Sequence, residues 1–176
     1  MQKVLLLHGW GGSDDPHWQS YLASQIAKDY GTVSFLRLKD PDSPKKDEWM
    51  RQLKESLTDF KPDVVICHSL ANILWFHLCN EQIDMPEIKK LFLVALPSLK
   101  QEIKEVDTFF PIKVPKNLYA HEAILVASTN DPYMSLNEVK ELKQRLNIPM
   151  KILENAGHIN ADSGYGKWDW ILEQLK

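Results

Sequence analysis

Three residues far apart in the chain carry the side chains that nucleophilic catalysis needs. Ser69 stands in His68-Ser69-Leu70-Ala71, directly after the apolar run 63–67 and at the head of a helical stretch. A serine on a sharp strand-to-helix turn presents its hydroxyl above the sheet, the geometry of a nucleophile elbow, and the helix amino terminus beneath it favours a developing negative charge. A hydroxyl is a weak nucleophile until a base takes its proton, and that base needs an acid to orient it. His158, in Ala156-Gly157-His158-Ile159-Asn160, follows the apolar run 150–153. Asp131, in Thr129-Asn130-Asp131-Pro132-Tyr133, follows the run 123–127.

Each residue has a plainer reading. Ser69 could only cap its helix, His158 could be an ordinary loop histidine, and Asn-Asp-Pro is turn chemistry. Their conjunction in the order Ser, Asp, His, each behind a strand, favours one acyl-transfer site. Asp107 and Asp162 are rival acids, but neither follows a strand directly. An oxyanion needs two backbone N–H donors. One is expected from Leu70, after the nucleophile. The other is expected from Trp10 in His8-Gly9-Trp10-Gly11-Gly12, with Gly11 as the alternative. That loop fits neither GxGxxG nor a Walker A phosphate cradle.

The elements that must position these residues alternate along the chain. Strands are expected at 3–7, 32–36, 63–67, 90–95, 123–127 and 150–153. Apolar residues at helical spacing predict helices at 18 to about 30, 49–60, 70 to about 79, 136–146 and 168–175. Alternation of this kind implies βαβ units and about six mainly parallel strands, with helices on both faces. In such sheets chemistry gathers at the carboxyl ends of the strands, where all the residues above fall. The one long irregular stretch, 97–119, carries Phe109-Phe110. With Tyr133 these are expected to bind substrate, and Trp10 and Trp75 are further aromatic candidates, Trp75 reading better as core.

The chain has 176 residues, so one domain spanning 1–176 is expected, with no lid domain. Its 21 Lys and Arg against 24 Asp and Glu give a net charge of −3, which argues against nucleic acid as a partner. No apolar run is long enough for a signal peptide or a membrane span. Cys67 and Cys79 make no disulfide framework, so a cytoplasmic location is expected. Six scattered histidines form no metal-ligand cluster, and neither metal nor cofactor is expected.

Three blocks then carry a likeness: His8-Gly9 with Pro16-His17-Trp18-Gln19; His68-Ser69-Leu70; and 128–133 with 156–166 and Trp168. On these the chain resembles, over nearly its whole length, the small serine hydrolases related to retinoblastoma-binding protein 9, which include the bacterial YdeN-type proteins. The resemblance implies a minimal α/β-hydrolase fold without a lid, and places the Ser, Asp and His positions on Ser69, Asp131 and His158. Cys67 and Ala71 stand where the elbow usually has glycines. The expected activity is hydrolysis of an ester, thioester or amide of a small-molecule or acyl substrate, through an acyl-enzyme. The alternatives are a hydrolase-fold protein that acts as an interaction module, and acyl transfer to an acceptor other than water.

Overall fold

The computed structural model of the chain describes residues 2–29, 31–81 and 84–176. Six strands, β1 (Lys3–Leu7), β2 (Thr32–Leu36), β3 (Val64–His68), β4 (Ile88–Val94), β5 (Ala120–Ser128) and β6 (Met150–Leu153), alternate with helices α1 (Trp18–Lys28), α2 (Lys46–Phe60), α3 (Leu70–Asn80), α4 (Leu136–Leu146) and α5 (Asp169–Glu173). The strands form one sheet in the order β2-β1-β3-β4-β5-β6. Every neighbouring pair is parallel, so the sheet is wholly rather than mainly parallel.

The two-residue period of the strands divides the core. Leu5, Leu7, Val65, Cys67, Leu91 and Leu93 point to one face, where Trp49 and Leu53 of α2, Trp75 of α3 and Leu142 of α4 cover them. Val4, Leu6, Val64, Ile66, Phe92 and Val94 point to the other, beneath Trp18, Leu22 and Ile26 of α1 and Ile171 of α5. Trp18, Trp49 and Trp75 are fully buried. At roughly 1.5–3 kcal/mol for each large apolar side chain removed from water, this double layer is the main stabilising term.

Element ends follow local chemistry. α4 begins in a capping box, Ser135 with Glu138, and stops at Asn147 in the left-handed region. α2 starts three residues before Trp49, where Asp47 and Glu48 suit the positive end of the helix, and stops at left-handed Lys61 before Pro62. β5 starts earlier than its apolar run because His121 and Glu122 are exposed, yet the ladder to β4 still carries them. β3 takes in His68, and α5 is shorter than its apolar spacing suggests. Tyr30, the expected end of α1, lies outside the described residues.

The stretch 97–119 lies on the domain as irregular chain with one 3₁₀ segment, Lys104–Phe109, whose Val106 and Phe109 are buried in the core. Among the described residues no helix is long and apolar enough to cross a membrane.

Candidate active site

Strand order reverses at β1 and β3, since β1 connects to β2 on one side and the chain resumes with β3 on the other. Loops leaving such neighbours at their carboxyl ends diverge and leave a crevice. The loops after β1 and β3 carry Gly9-Trp10 and Ser69.

Ser69 sits at φ 55°, ψ −122°, a backbone conformation that side chains other than glycine's rarely adopt. The surrounding bonds hold it there. Its N–H donates to Val94 O at 3.0 Å. The buried amide of Asn72 donates to Ser69 O at 2.8 Å and to Val94 O at 2.9 Å. Ser69 occupies the N-cap position of α3, but its side chain makes no capping bond. The hydroxyl instead meets His158 Nε2 at 2.8 Å. The cap-only reading of Ser69 is therefore wrong.

On the far side of the ring, His158 Nδ1 lies 3.0 and 2.9 Å from the two Asp131 oxygens. A carboxylate there accepts, so Nδ1 carries the proton and Nε2 is left to accept from the serine. Asp131 Oδ1 also accepts from Tyr133 N–H at 2.9 Å. The two side chains are 9% and 4% exposed, and this partial exclusion of water strengthens the chain of bonds. Neither Asp107 nor Asp162 bonds His158 among the described residues.

Residues flanking these three lock the loops together. Gly157 N–H donates to Asn130 Oδ1 at 2.7 Å and Ala156 N–H to Ser128 Oγ at 2.9 Å, so the β5 and β6 loops are stitched across. His158 N–H donates to Ser163 Oγ at 3.1 Å, which itself donates to Asn160 Oδ1 at 2.7 Å. Gly157 has φ 54°, and a Cβ there would crowd the Ser163 side chain, so a larger residue would displace the hydroxyl that holds His158 N–H. From below, His68 Nε2 donates to His158 O at 3.1 Å and Trp18 Nε1 to Ile159 O at 2.8 Å. Sequence reasoning did not single out Asn72, Asn130, Ser163 or the ring of His68 for these roles. Asn72 did leave a signal, as the one amide in the apolar stretch of α3 before Asn80.

Gly9 passes so close to the elbow that a Cβ on it would stand 2.7 Å from Ser69 Cβ and 3.2 Å from Leu70 N. His8 fixes this turn from both nitrogens: Leu38 N–H donates to Nε2 at 2.9 Å, and Nδ1–H donates to Gly9 O at 2.8 Å. Leu70 N–H opens α3 and has no carbonyl of its own helix to bond. Trp10 N–H has no partner among the described residues, while Gly11 N–H is taken by Pro41 O at 2.9 Å. The Gly11 alternative is thereby removed.

A cleft of about 230 Å³ opens beside Ser69 and His158, bordered by Trp10, Leu70, Ile103, Phe110 and Tyr133. The Tyr133 ring lies 4.6 Å from that of His158. Phe109 does not border it. Its ring is fully buried against Trp49, at 5.3 Å between centroids, because the 3₁₀ turn directs it into the core. The expectation that both phenylalanines contact substrate is corrected: only Phe110 faces the cleft. Trp75 is core as well, with Nε1 bonded to Leu118 O at 3.1 Å. A larger hollow of about 580 Å³ lies at the amino ends of the strands, between α2 and the start of β4. Among the described residues no serine or histidine lines it.

Burial raises the Cys67 thiol well above its ordinary range, with the nearby Cys79 adding to it, so Cys67 is no nucleophile at neutral pH. Burial lowers His68 well below the ordinary histidine value, helped by His17 and His158. His17 is lowered to about 4, by burial first and then by His158 and His8. Both rings are neutral at pH 7, and His68 therefore serves as a neutral hydrogen-bonding prop.

Over 99% of its length the chain is 24% identical to the YdeN protein of Bacillus subtilis (strain 168), covering 94% of that protein. The crystal structure of the B. subtilis ydeN product matches with a TM-score of 0.85 at 18% identity, over 99% of this chain and 97% of that one. A YdeN-like protein from Pectobacterium atrosepticum SCRI1043 matches at 0.77 and 24%, over 98% and 88%. The esterase domain of a Rhodothermus marinus protein matches at 0.68 and 14%, over 99% and 84%. Likeness at these identities is likeness of fold, and the fold is that of the α/β-hydrolases. The family model described as serine hydrolase matches residues 4–176, nearly the whole chain, and so the protein belongs to the serine hydrolase family and is a hydrolase.

Proposed function

We propose that this hydrolase cleaves a carboxylic ester through an acyl-enzyme on Ser69. The observation that carries the reading is the continuous hydrogen-bonded line from Ser69 Oγ through His158 to Asp131, at 2.8 and 2.9 Å. His158 takes the hydroxyl proton as Ser69 attacks the carbonyl, and Asp131 stabilises the imidazolium that results. The N–H groups of Leu70 and Trp10 receive the oxyanion. His158 returns its proton to the leaving alcohol. It then draws a proton from water, whose oxygen attacks the acyl carbon, and passes that proton to Ser69 Oγ as the acid leaves. Phe110 and Tyr133 border the substrate. Every group required is a side chain or backbone amide of this chain.

The test is labelling by a fluorophosphonate, read by intact mass. One adduct on the native protein and none on Ser69→Ala is the expected result. No adduct on the folded native protein, or an adduct that persists on Ser69→Ala, overturns the assignment.

A further inference from the structure

Ser69 and His158 border two cavities. The first is the cleft with Ile103, Phe110 and Tyr133. The second, of about 340 Å³, runs the other way along the 11–17 loop and differs in chemistry. Among the described residues its lining includes Asp14 and Asp15, which the first cleft lacks, and Asp162, which the two cavities share, and no lysine or arginine. All three acids are exposed, and none forms an ion pair among the described residues. Arg37 borders a neighbouring hollow with Asp14 but does not pair with it.

Two further lining residues lie deeper. Ser13 and His17 are each 4% exposed, and Ser13 Oγ and His17 Nε2 are buried without a partner. Nδ1 of His17 accepts from Gln19 N–H at 3.1 Å, so Nε2 carries the proton and is a donor. A buried donor left unpaired is costly, and two in one cavity beside a nucleophile call for an explanation. The cavity thus has hydrogen-bonding groups at depth and negative charge at its rim.

We propose that this second cavity is a subsite for a polar, positively charged half of the substrate, with a small apolar half in the cleft of Phe110. An acceptor oxygen on the polar half meets Ser13 and His17, and a cation further out meets the rim carboxylates. The inference rests on the reading of Ser69 given above. The substrate class is then an ester joining a short apolar group to an amine-bearing or quaternary-ammonium group. Esters whose polar half is anionic are disfavoured.

The test uses two sets of esters at low salt. One holds butyrate constant and varies the alcohol: choline, its uncharged isostere 3,3-dimethylbutanol, and glycolate. The other holds butanol constant and varies the acid: trimethylglycine, 3,3-dimethylbutyrate, and malonate. In at least one set kcat/KM should fall from cation to neutral isostere to anion. The cation-to-isostere ratio should drop about fivefold in Asp14→Asn/Asp15→Asn, from two charges several ångströms from the ligand in high dielectric. Intrinsic ester reactivity cancels in that comparison. The same ratio should shrink in the native protein as salt rises. Ser13→Ala should raise KM without lowering thermal stability, since the hydroxyl it removes has no partner in the free protein. Ratios that move with neither the double variant nor salt, in a protein that still takes the fluorophosphonate, overturn the subsite. Loss of labelling overturns the assignment of Ser69 instead.

Discussion

Acidification should weaken this fold through His17 by an amount that can be worked out in advance. The ring is 4% exposed, one nitrogen caps α1 and the other has no partner. Burial, then the charges on His158 and His8, lowers its pKa from 6.5 to about 4. A histidine held below its unfolded value binds a proton more readily when unfolded. Its stabilising contribution is therefore complete above the unfolded pKa and is lost as pH falls toward the folded one. With values of 6.5 and about 4, the loss relative to neutral pH is about 1 kcal/mol at pH 5.5 and about 2 kcal/mol at pH 5. That is a large share of the roughly 5–15 kcal/mol that holds a domain together. His8 and His68 are also lowered by burial and add losses of the same sign, so the native protein alone cannot isolate His17. His17→Asn can. Asparagine still offers an oxygen to cap the helix and does not titrate. Urea unfolding of both proteins at pH 7.5 and pH 5 should show the stability gap between them narrowing by about 2 kcal/mol at the lower pH, with unchanged m-values. Equal losses in the two proteins would refute the argument that the buried His17 ring is what resists protonation.

Other substitutions separate positioning from packing. Gly9→Ala places a Cβ 2.7 Å from Ser69 Cβ, so the Trp10 amide must move. A fall in kcat of about 10²-fold or more is expected, the scale of one lost oxyanion donor, with KM little changed; full activity would exclude the 9–10 turn from the oxyanion site. Phe109→Ala should cost about 3–5 kcal/mol in denaturant unfolding, as for other buried aromatics, whereas Phe110→Ser should shift substrate preference at nearly native stability. The reverse pattern would mean that the two rings have been assigned to the wrong places. Ser69→Ala should lower kcat by on the order of 10⁶ where esterase activity is assayed.

Much of this was legible because parallel strands buried on both faces are short apolar runs whose ends can be read directly. Ser69, Asp131 and His158 each follow such a run, and the structure brings the three together. What the sequence hid depends on direction or on distant partners. Phe109 and Phe110 are adjacent and alike in composition, and only the 3₁₀ turn sends one inward and leaves the other at the cleft. Ser128 and Asn130 bond another loop's backbone and Ser163 the backbone of its own loop, and no periodicity announces these roles.

The departure at the elbow is resolved by asking where close approach occurs. Glycines are expected around a nucleophile because strand, helix and a neighbouring loop crowd one turn. Here Cys67 and Ala71 are fully buried, their small side chains filling the layer with Leu7, Leu93 and Leu74. Neither adopts a positive φ, which falls on Ser69 itself. The contact that no side chain could enter is between Gly9 and Ser69. The requirement for glycine therefore falls on the β1 loop, where the second oxyanion donor is proposed. Cys67→Gly and Ala71→Gly should accordingly lose stability, through a cavity and a more flexible backbone, without raising kcat. A gain in kcat from either, at unchanged KM, would show that the elbow is strained by the residues it has.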